Sequence, residues 1–452
     1  MKEASRGYLI KGSILDGSLN PPIVDGALVT EGERIAWVGA RAALPPRYTG
    51  PGYTLIDLPG RTVMPGLIDG HTHISFGESR SEEENALYTP VEFRTLKAIW
   101  YAKRVLQAGV TSAFDAATTY AIAQAVRDAI DSGMFEGPRF TVSGRQLTNH
   151  QGLEDSFPSN LGFPPGQSAV LVKTKDDLVE EIRLQVKEEV DAIKVSGSND
   201  NLITPDALGS SAFTYEEFKI IADETHRLGK ICTVHARSRE SARDAARAGF
   251  DVIFHASYID EEGIEACLRN GCVITPTLTL LVNLLDANQS RAGASAMDAT
   301  RREIEAACEG LRRAHRAGVP LIAGSEAGWS PVPFGHWHGR EMQLFVELLG
   351  MTPLEAIHAN TLAATKILRR GNEVGKLEAG RLADLLVVPG NPLADIGILQ
   401  RPSSFDYIFK SGRPVDRTPQ APRERRWYER HKTFLAGLYL FDEASGKGSL
   451  VY

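Results

Sequence analysis

Long apolar runs are missing from this chain. No stretch of about 18 consecutive apolar residues occurs in its 452 residues, and the opening Met1-Lys2-Glu3-Ala4-Ser5-Arg6-Gly7 has no apolar signal core, so the expectation is a cytoplasmic protein without a membrane partner. Cysteine is scarce. The four present, Cys232, Cys267, Cys272 and Cys308, show no Cys-x-x-Cys spacing, which argues against a disulfide framework or a zinc knuckle and predicts buried free thiols. Basic blocks are also absent, apart from Arg423-Glu424-Arg425-Arg426, and the net charge is -7. A nucleic-acid partner is therefore not expected, and the late cluster reads as a solvated tail. What remains, 42% hydrophobic and 24% charged residues, is ordinary globular composition.

Short apolar runs alternate with longer helix-like segments, the pattern of a parallel sheet built from strand-helix units. Strands are predicted over Val63 to Asp69, Thr111 to Asp115, Arg139 to Ser143, Ala192 to Val195, Ile231 to His235, Val252 to His255, Cys272 to Thr275 and Leu321 to Gly324. Helices are predicted between them, with Asp298 to Ala317, Gly339 to Leu349 and Thr352 to Leu368 among the later ones. Eight such strands are what an α/β (β/α)8 TIM barrel needs. The two ends instead read as short strands broken by Gly, Pro and Asp. The expected organisation is a barrel over 61–370, a small β-sandwich made jointly by 1–60 and 371–420, and an aromatic-rich tail over 421–452 that docks either on a neighbouring copy in a homo-oligomer or on its own barrel.

The first strand ends in Gly66-Leu67-Ile68-Asp69-Gly70-His71-Thr72-His73. Alternate strand residues share a face, so His71 and His73 project together, as two nitrogen ligands of a divalent metal would. Taken alone, that pair also fits two histidines with no metal. Chemistry in such barrels sits at the carboxyl rim, and more polar residues fall there: Lys194, His235, His255 and Glu326. Singly, each reads as a buried polar group with a structural partner; together they point to metal.

This order of residues, with the phrases Val63-Met64-Pro65-Gly66-Leu67-Ile68-Asp69-Gly70-His71-Thr72-His73 and Gly375-Lys376-Leu377-Glu378-Ala379-Gly380-Arg381-Leu382-Ala383-Asp384-Leu385-Leu386-Val387-Val388, closely resembles the amidohydrolase superfamily. Within it the chain looks like the branch of imidazolonepropionase-like and Xaa-Pro dipeptidase-like hydrolases, which also holds aryl amide, phenylurea and thiocarbamate hydrolases. The resemblance implies a binuclear centre, preferably zinc, with cobalt, manganese or iron as alternatives. His71 and His73 would hold one ion and His235 and His255 the other, bridged by Lys194 carboxylated with CO2. A hydroxide shared by the ions would attack the carbonyl of an amide, urea or carbamate, with Glu326 moving the proton and His150 assisting the oxyanion.

One residue departs from that pattern: the family carries Asp where this chain has Glu326, an arm longer by one methylene. Tyr88, His150, Arg237, Tyr258, Trp329, Trp337 and His338 are the expected recognition residues, an aromatic wall suited to an aryl or other bulky apolar group. Alternatives are an Xaa-Pro or related dipeptidase and an N-acyl amino acid or mycotoxin amide hydrolase, with C–N bonds outside peptides preferred over peptide bonds. The non-enzymatic alternative is a metal-poor scaffold. A mononuclear deaminase is disfavoured because His235 is followed by Ala236-Arg237-Ser238-Arg239, without a carboxylate.

Overall fold

The computed structural model describes residues 6–150, 152–199, 210–288, 294–430 and 437–451. Its centre is built from parallel strands. One sheet joins Leu67–Thr72, Val110–Asp115 and Arg139–Val142. A second runs in the order Val273–Thr275, Val252–His255, Ile231–Ala236, Ala192–Ser196, Gln146–Thr148, Ala169–Leu171. Single bridges connect them: Ser143 pairs with Ala192 on one side, and Ile274 with Leu321 and Thr72 with Ala327 on the other. The segment predicted as the eighth strand thus lies between the sheets. It makes isolated bridges rather than a ladder, with Ile322 N–H donating to Ile274 O (2.8 Å) and Gly70 N–H to Ala323 O (2.9 Å).

Strand alternation sorts the core into two faces. Ile193, Val195, Val234, Ile253 and Ile274 pack outward with the helices, whereas Ala192, Val252, Phe254, Val273, Ile68, Phe114 and Ile322 form a separate inner cluster. Lys194 shares the parity of Ala192 and so belongs to the inner face. The surrounding helices start where caps dictate. Thr174, Thr214 and Thr352 each close a capping box before Lys175–Lys187, Tyr215–Arg227 and Pro353–Ala359. The last is shorter than the predicted Thr352 to Leu368, because the chain tightens into a 3-10 turn at Ala363–Ile367.

The flanks combine into one mixed sheet of seven strands. Leu385–Pro389 lies antiparallel to the long strand Tyr53–Pro65, so that Leu385 faces Pro65 and Val387 faces Val63. Tyr53–Pro65 then leads directly into Leu67–Thr72, which ties the flank sheet to the histidine-bearing strand. Helix Leu278–Asn288 and the hairpin Leu438–Asp442 with Lys447–Val451 had no sequence counterpart. The hairpin packs on its own chain: Trp337 stacks on Tyr439 with ring centroids 5.1 Å apart. The late basic cluster is not simply a solvated tail. Arg423 and Arg425 reach inward to Glu429, Glu84 and the Glu78 carbonyl. All four cysteines are buried and free, and no helix among the described residues is long and apolar enough to cross a membrane.

Candidate metal centre

His71 and His73 leave the end of the first parallel strand at a point where its ladder with Val110–Asp115 shifts register, an irregularity of the kind that re-aims side chains. Their Nε2 atoms stand 3.0 Å apart. Glu326 closes the group, with Oε1 3.2 Å from His73 Nε2 and Oε2 3.3 Å from His71 Nε2. All three side chains are buried. His235 follows from plain alternation, opposite Ser196 on the neighbouring strand. His255 does not: its parity is that of Ile253, which faces outward. A left-handed backbone at His255 (φ 71°) breaks the alternation, and its ring lies 4.5 Å from that of His235 and 5.5 Å from that of His71. Glu326 is also left-handed (φ 65°). Such conformations cost roughly 1–3 kcal/mol each and concentrate at functional sites.

Supporting contacts fix these rings. Thr277 Oγ1 sits 2.6 Å from His255 Nδ1, leaving Nε2 as the free nitrogen. Phe76 stacks on His73 at 4.3 Å. Asp69 accepts from the backbone N–H of His71 and of Ser325 (3.1 and 2.9 Å) and lies 2.6 Å from His338 Nδ1, so one buried carboxylate joins the strand carrying the histidines to the segment carrying Glu326. His338 Nε2 accepts the Gly335 N–H at 3.0 Å, which places its proton on Nδ1, toward Asp69.

The electrostatics favour ligand forms. Burial, with help from Lys194 and neighbouring histidines, pushes the His71 imidazole well below its usual range, and burial with Arg237 does the same for His235 and His255. They are neutral at pH 7 and present lone pairs. Burial lowers the Lys194 amine to about 7, opposed by Glu326 and Glu154, with Nζ 3.9 Å from the Phe254 ring centre. Burial by itself would raise the Glu326 carboxyl, but the hydrogen bond with His73 and the charges of Arg237 and Lys194 hold it below the ordinary value, as an anion. Do these residues fit a metal? His71, His73 and Glu326 each bring one ligand atom within 4.8 Å of the others, and His235 Nε2 and Glu326 Oε2 are buried with no hydrogen-bond partner. A converging set of imidazoles and a carboxylate with unmet lone pairs suits a divalent ion.

A cavity of about 590 Å³ opens above this group, lined by His71, His73, Lys194, His235 and Glu326 and, of the expected recognition residues, by Tyr88, Arg237 and Trp329. The structure places the other four elsewhere. His150 follows the short strand Gln146–Thr148, turns into solvent with its side chain 70% exposed, and pairs with Asp155 at 3.0 Å. Tyr258 leaves the wall because the chain turns back at once, its N–H bonding Arg237 O. Trp337 is buried under the hairpin, donating Nε1–H to Tyr439 O at 2.7 Å. His338 is committed to Asp69. Arg237, though in the wall, is held by Glu303 in a buried pair at 2.7 Å. Sequence reasoning missed Asp69 and Arg80, another wall residue. The Asp69 carboxylate stands two residues before His71 in an otherwise apolar run, a signal that was readable.

Parallel strands that end in buried histidines, a lysine and a carboxylate beneath one cavity form a group that could hold a divalent metal ion. The amidohydrolase family model matches residues 62–415, and the chain belongs to that family, whose chemistry is hydrolysis of C–N bonds and which generally uses divalent metals. Ochratoxinase of Aspergillus niger is 28% identical over 430 residues, 91% of this chain and 87% of that protein. Its crystal structure superposes with a TM-score of 0.81 at 26% identity, covering 91% of this chain and 96% of the other. Imidazolonepropionase of Paracoccus denitrificans is 30% identical over 391 residues, 81% of this chain and 88% of its own length. A Xaa-Pro dipeptidase solved with methionine in its active site gives a TM-score of 0.78 at 26% identity, over 90% and 99% of the two chains.

Proposed function

We propose that this protein is a binuclear metal hydrolase that cleaves the C–N bond of a small amide, urea or carbamate, and that its two parallel sheets with the 321–327 segment are the wall of a (β/α)8 barrel. The observation that carries the reading is the buried convergence of His71, His73 and Glu326 beneath a cavity shared with Lys194 and His235. His71 and His73 would hold one divalent ion and His235 and His255 the other, and a carboxylated Lys194 would serve as a further ligand. Such ions, most readily zinc, would polarise the scissile carbonyl and make water acidic enough to serve as a nucleophile near neutral pH. Conversion of Lys194 to a carbamate would supply an anionic ligand where a buried ammonium would be costly.

Glu326 is the proton carrier in this mechanism. Its anionic state makes it a base, its Oε2 is free to take a proton from the attacking water, and the same oxygen then returns the proton to the departing nitrogen. The cavity wall supplies binding. Phe76, Leu87, Tyr88, Phe157, Leu280 and Trp329 present apolar surface for an aryl or other bulky group. The similarity to ochratoxinase and to a Xaa-Pro dipeptidase supports an N-acyl amino acid or dipeptide as the second reading within the same chemistry. Purified enzyme is tested against N-acyl amino acids, prolyl dipeptides, aryl amides, phenylureas and carbamates. Turnover of at least one class is expected, with loss on chelation and recovery with zinc, cobalt or manganese; turnover indifferent to chelation would remove the metal mechanism.

A further inference from the structure

The cavity wall contains three basic residues, Arg80, Lys194 and Arg237. Lys194 sits with the histidines, and Arg237 is paired with Glu303. Arg80 differs from both. It is only 7% exposed, and among the described residues its Nε has no hydrogen-bond partner and its guanidinium joins no ion pair. Three acids near it, Glu84, Glu78 and Glu429, are engaged with other groups. Glu84 accepts the Arg80 backbone N–H (3.1 Å) and pairs with Arg425 (3.2 Å). Glu78 accepts from Tyr101 and from the Phe334 N–H, and Glu429 pairs with Lys97 and Arg423.

A buried guanidinium without a partner lowers stability, and burial, reinforced by the nearby Arg425 charge, lowers its affinity for a proton. A site that keeps such a group in a ligand cavity has an anion to meet there, and the planar fork of Arg suits a carboxylate held by two hydrogen bonds. The residue is also held in place. Ser79 pairs with Trp329, and Arg425 donates to the Glu78 carbonyl at 3.0 Å, so the segment bearing Arg80 is pinned on both sides. Building on the hydrolase reading above, we infer that Arg80 anchors a carboxylate carried by the substrate, which makes the cleaved compound an amide of the N-acyl amino acid type with a bulky apolar group on the opposite wall.

The test uses the metal-loaded enzyme and two probes that differ only in charge, N-benzoyl-phenylalanine and its carboxamide, titrated calorimetrically at fixed ionic strength. The wild type should bind the acid at least tenfold more tightly than the amide. Arg80→Gln should bring the two within about twofold, and Arg80→Lys should restore part of the preference. Acid preference that survives Arg80→Gln, or a wild type without it, overturns the assignment. Thermal melting gives a second readout: Arg80→Met should melt at or above the wild type, since it removes an unpaired buried charge. A lower melting temperature would instead make Arg80 a structural counter-charge to Glu82 and Glu83 on the same wall and end the proposal. Hydrolysis is scored separately. If neither the probes nor any class of the substrate panel is cleaved while Arg80-dependent acid binding persists, the hydrolase reading fails and the anion site stands. If both are cleaved equally and Arg80→Gln changes neither rate, the hydrolase reading stands and the anion site fails.

Discussion

Glu326 carries the proposed proton transfer in one side chain. Its carboxylate touches His71 and His73 at 3.3 and 3.2 Å, from a backbone conformation that an ordinary residue adopts only under constraint. Glu326→Gln is expected to keep the fold and most bound metal while lowering kcat on the order of 10²-fold, the usual loss for a positioned base. Near-wild-type turnover of a verified substrate would dismiss the role. Glu326→Asp restores the residue usual in the family, but the shorter arm would leave its neighbours out of reach, so the rate should fall here too. Lys194→Ala should lose most metal by elemental analysis, with partial recovery in added short carboxylic acids. The convergence of His71, His73, Lys194, His235 and Glu326 on one cavity was legible at this scale. The failures have a common cause. His150, Tyr258, Trp337 and His338 were placed by their distance past a strand end, and that distance does not report which way a loop turns.

At the scale of elements, the turn Trp427–Arg430 acts as a clamp on the cavity wall. Glu429 is fully buried, with Lys97 Nζ at 3.2 Å and Arg423 Nη2 at 2.8 Å. Arg425 joins the same turn to Glu84 and Glu78 in the 78–88 segment that supplies Arg80 and Tyr88. Glu429→Gln leaves buried Lys97 and half-buried Arg423 short of an anion, and breaking a buried pair costs about 3–5 kcal/mol. The expected result is a lower melting temperature and a raised KM with little change in metal content; an unchanged KM would separate the turn from the cavity. This clamp was invisible in sequence because its partners lie more than 300 positions apart, as Arg425 and Glu78 do. By contrast, the helices with Thr caps and the strands with pure apolar runs were readable because their signals are local. The segment after Leu321 carried a strand's composition yet forms only isolated bridges.

At the scale of the whole molecule, burial sets pH behaviour as well as chemistry. Glu341 receives the N–H groups of Leu278 and Thr279 at 2.9 and 2.8 Å at the start of helix Leu278–Asn288, and burial pushes its carboxyl up to about 7. A carboxyl raised on folding binds its proton more tightly in the native state, so its contribution to stability is present below the ordinary carboxylate range and is lost as pH rises toward 7. Denaturant unfolding across that window should show stability changing with pH along a more positive slope in Glu341→Gln than in the wild type; identical slopes would contradict the assignment. The joining of both chain ends into one sheet behind the histidine strand was foreshadowed by their shared strand-rich composition. Their pairing as seven strands in one layer depended on register that composition does not encode. A binuclear centre is the central claim, and counting metals in the purified protein by elemental mass spectrometry tests it most directly. About two divalent ions per chain after loading and dialysis is the predicted result; a chain that retains none would contradict it.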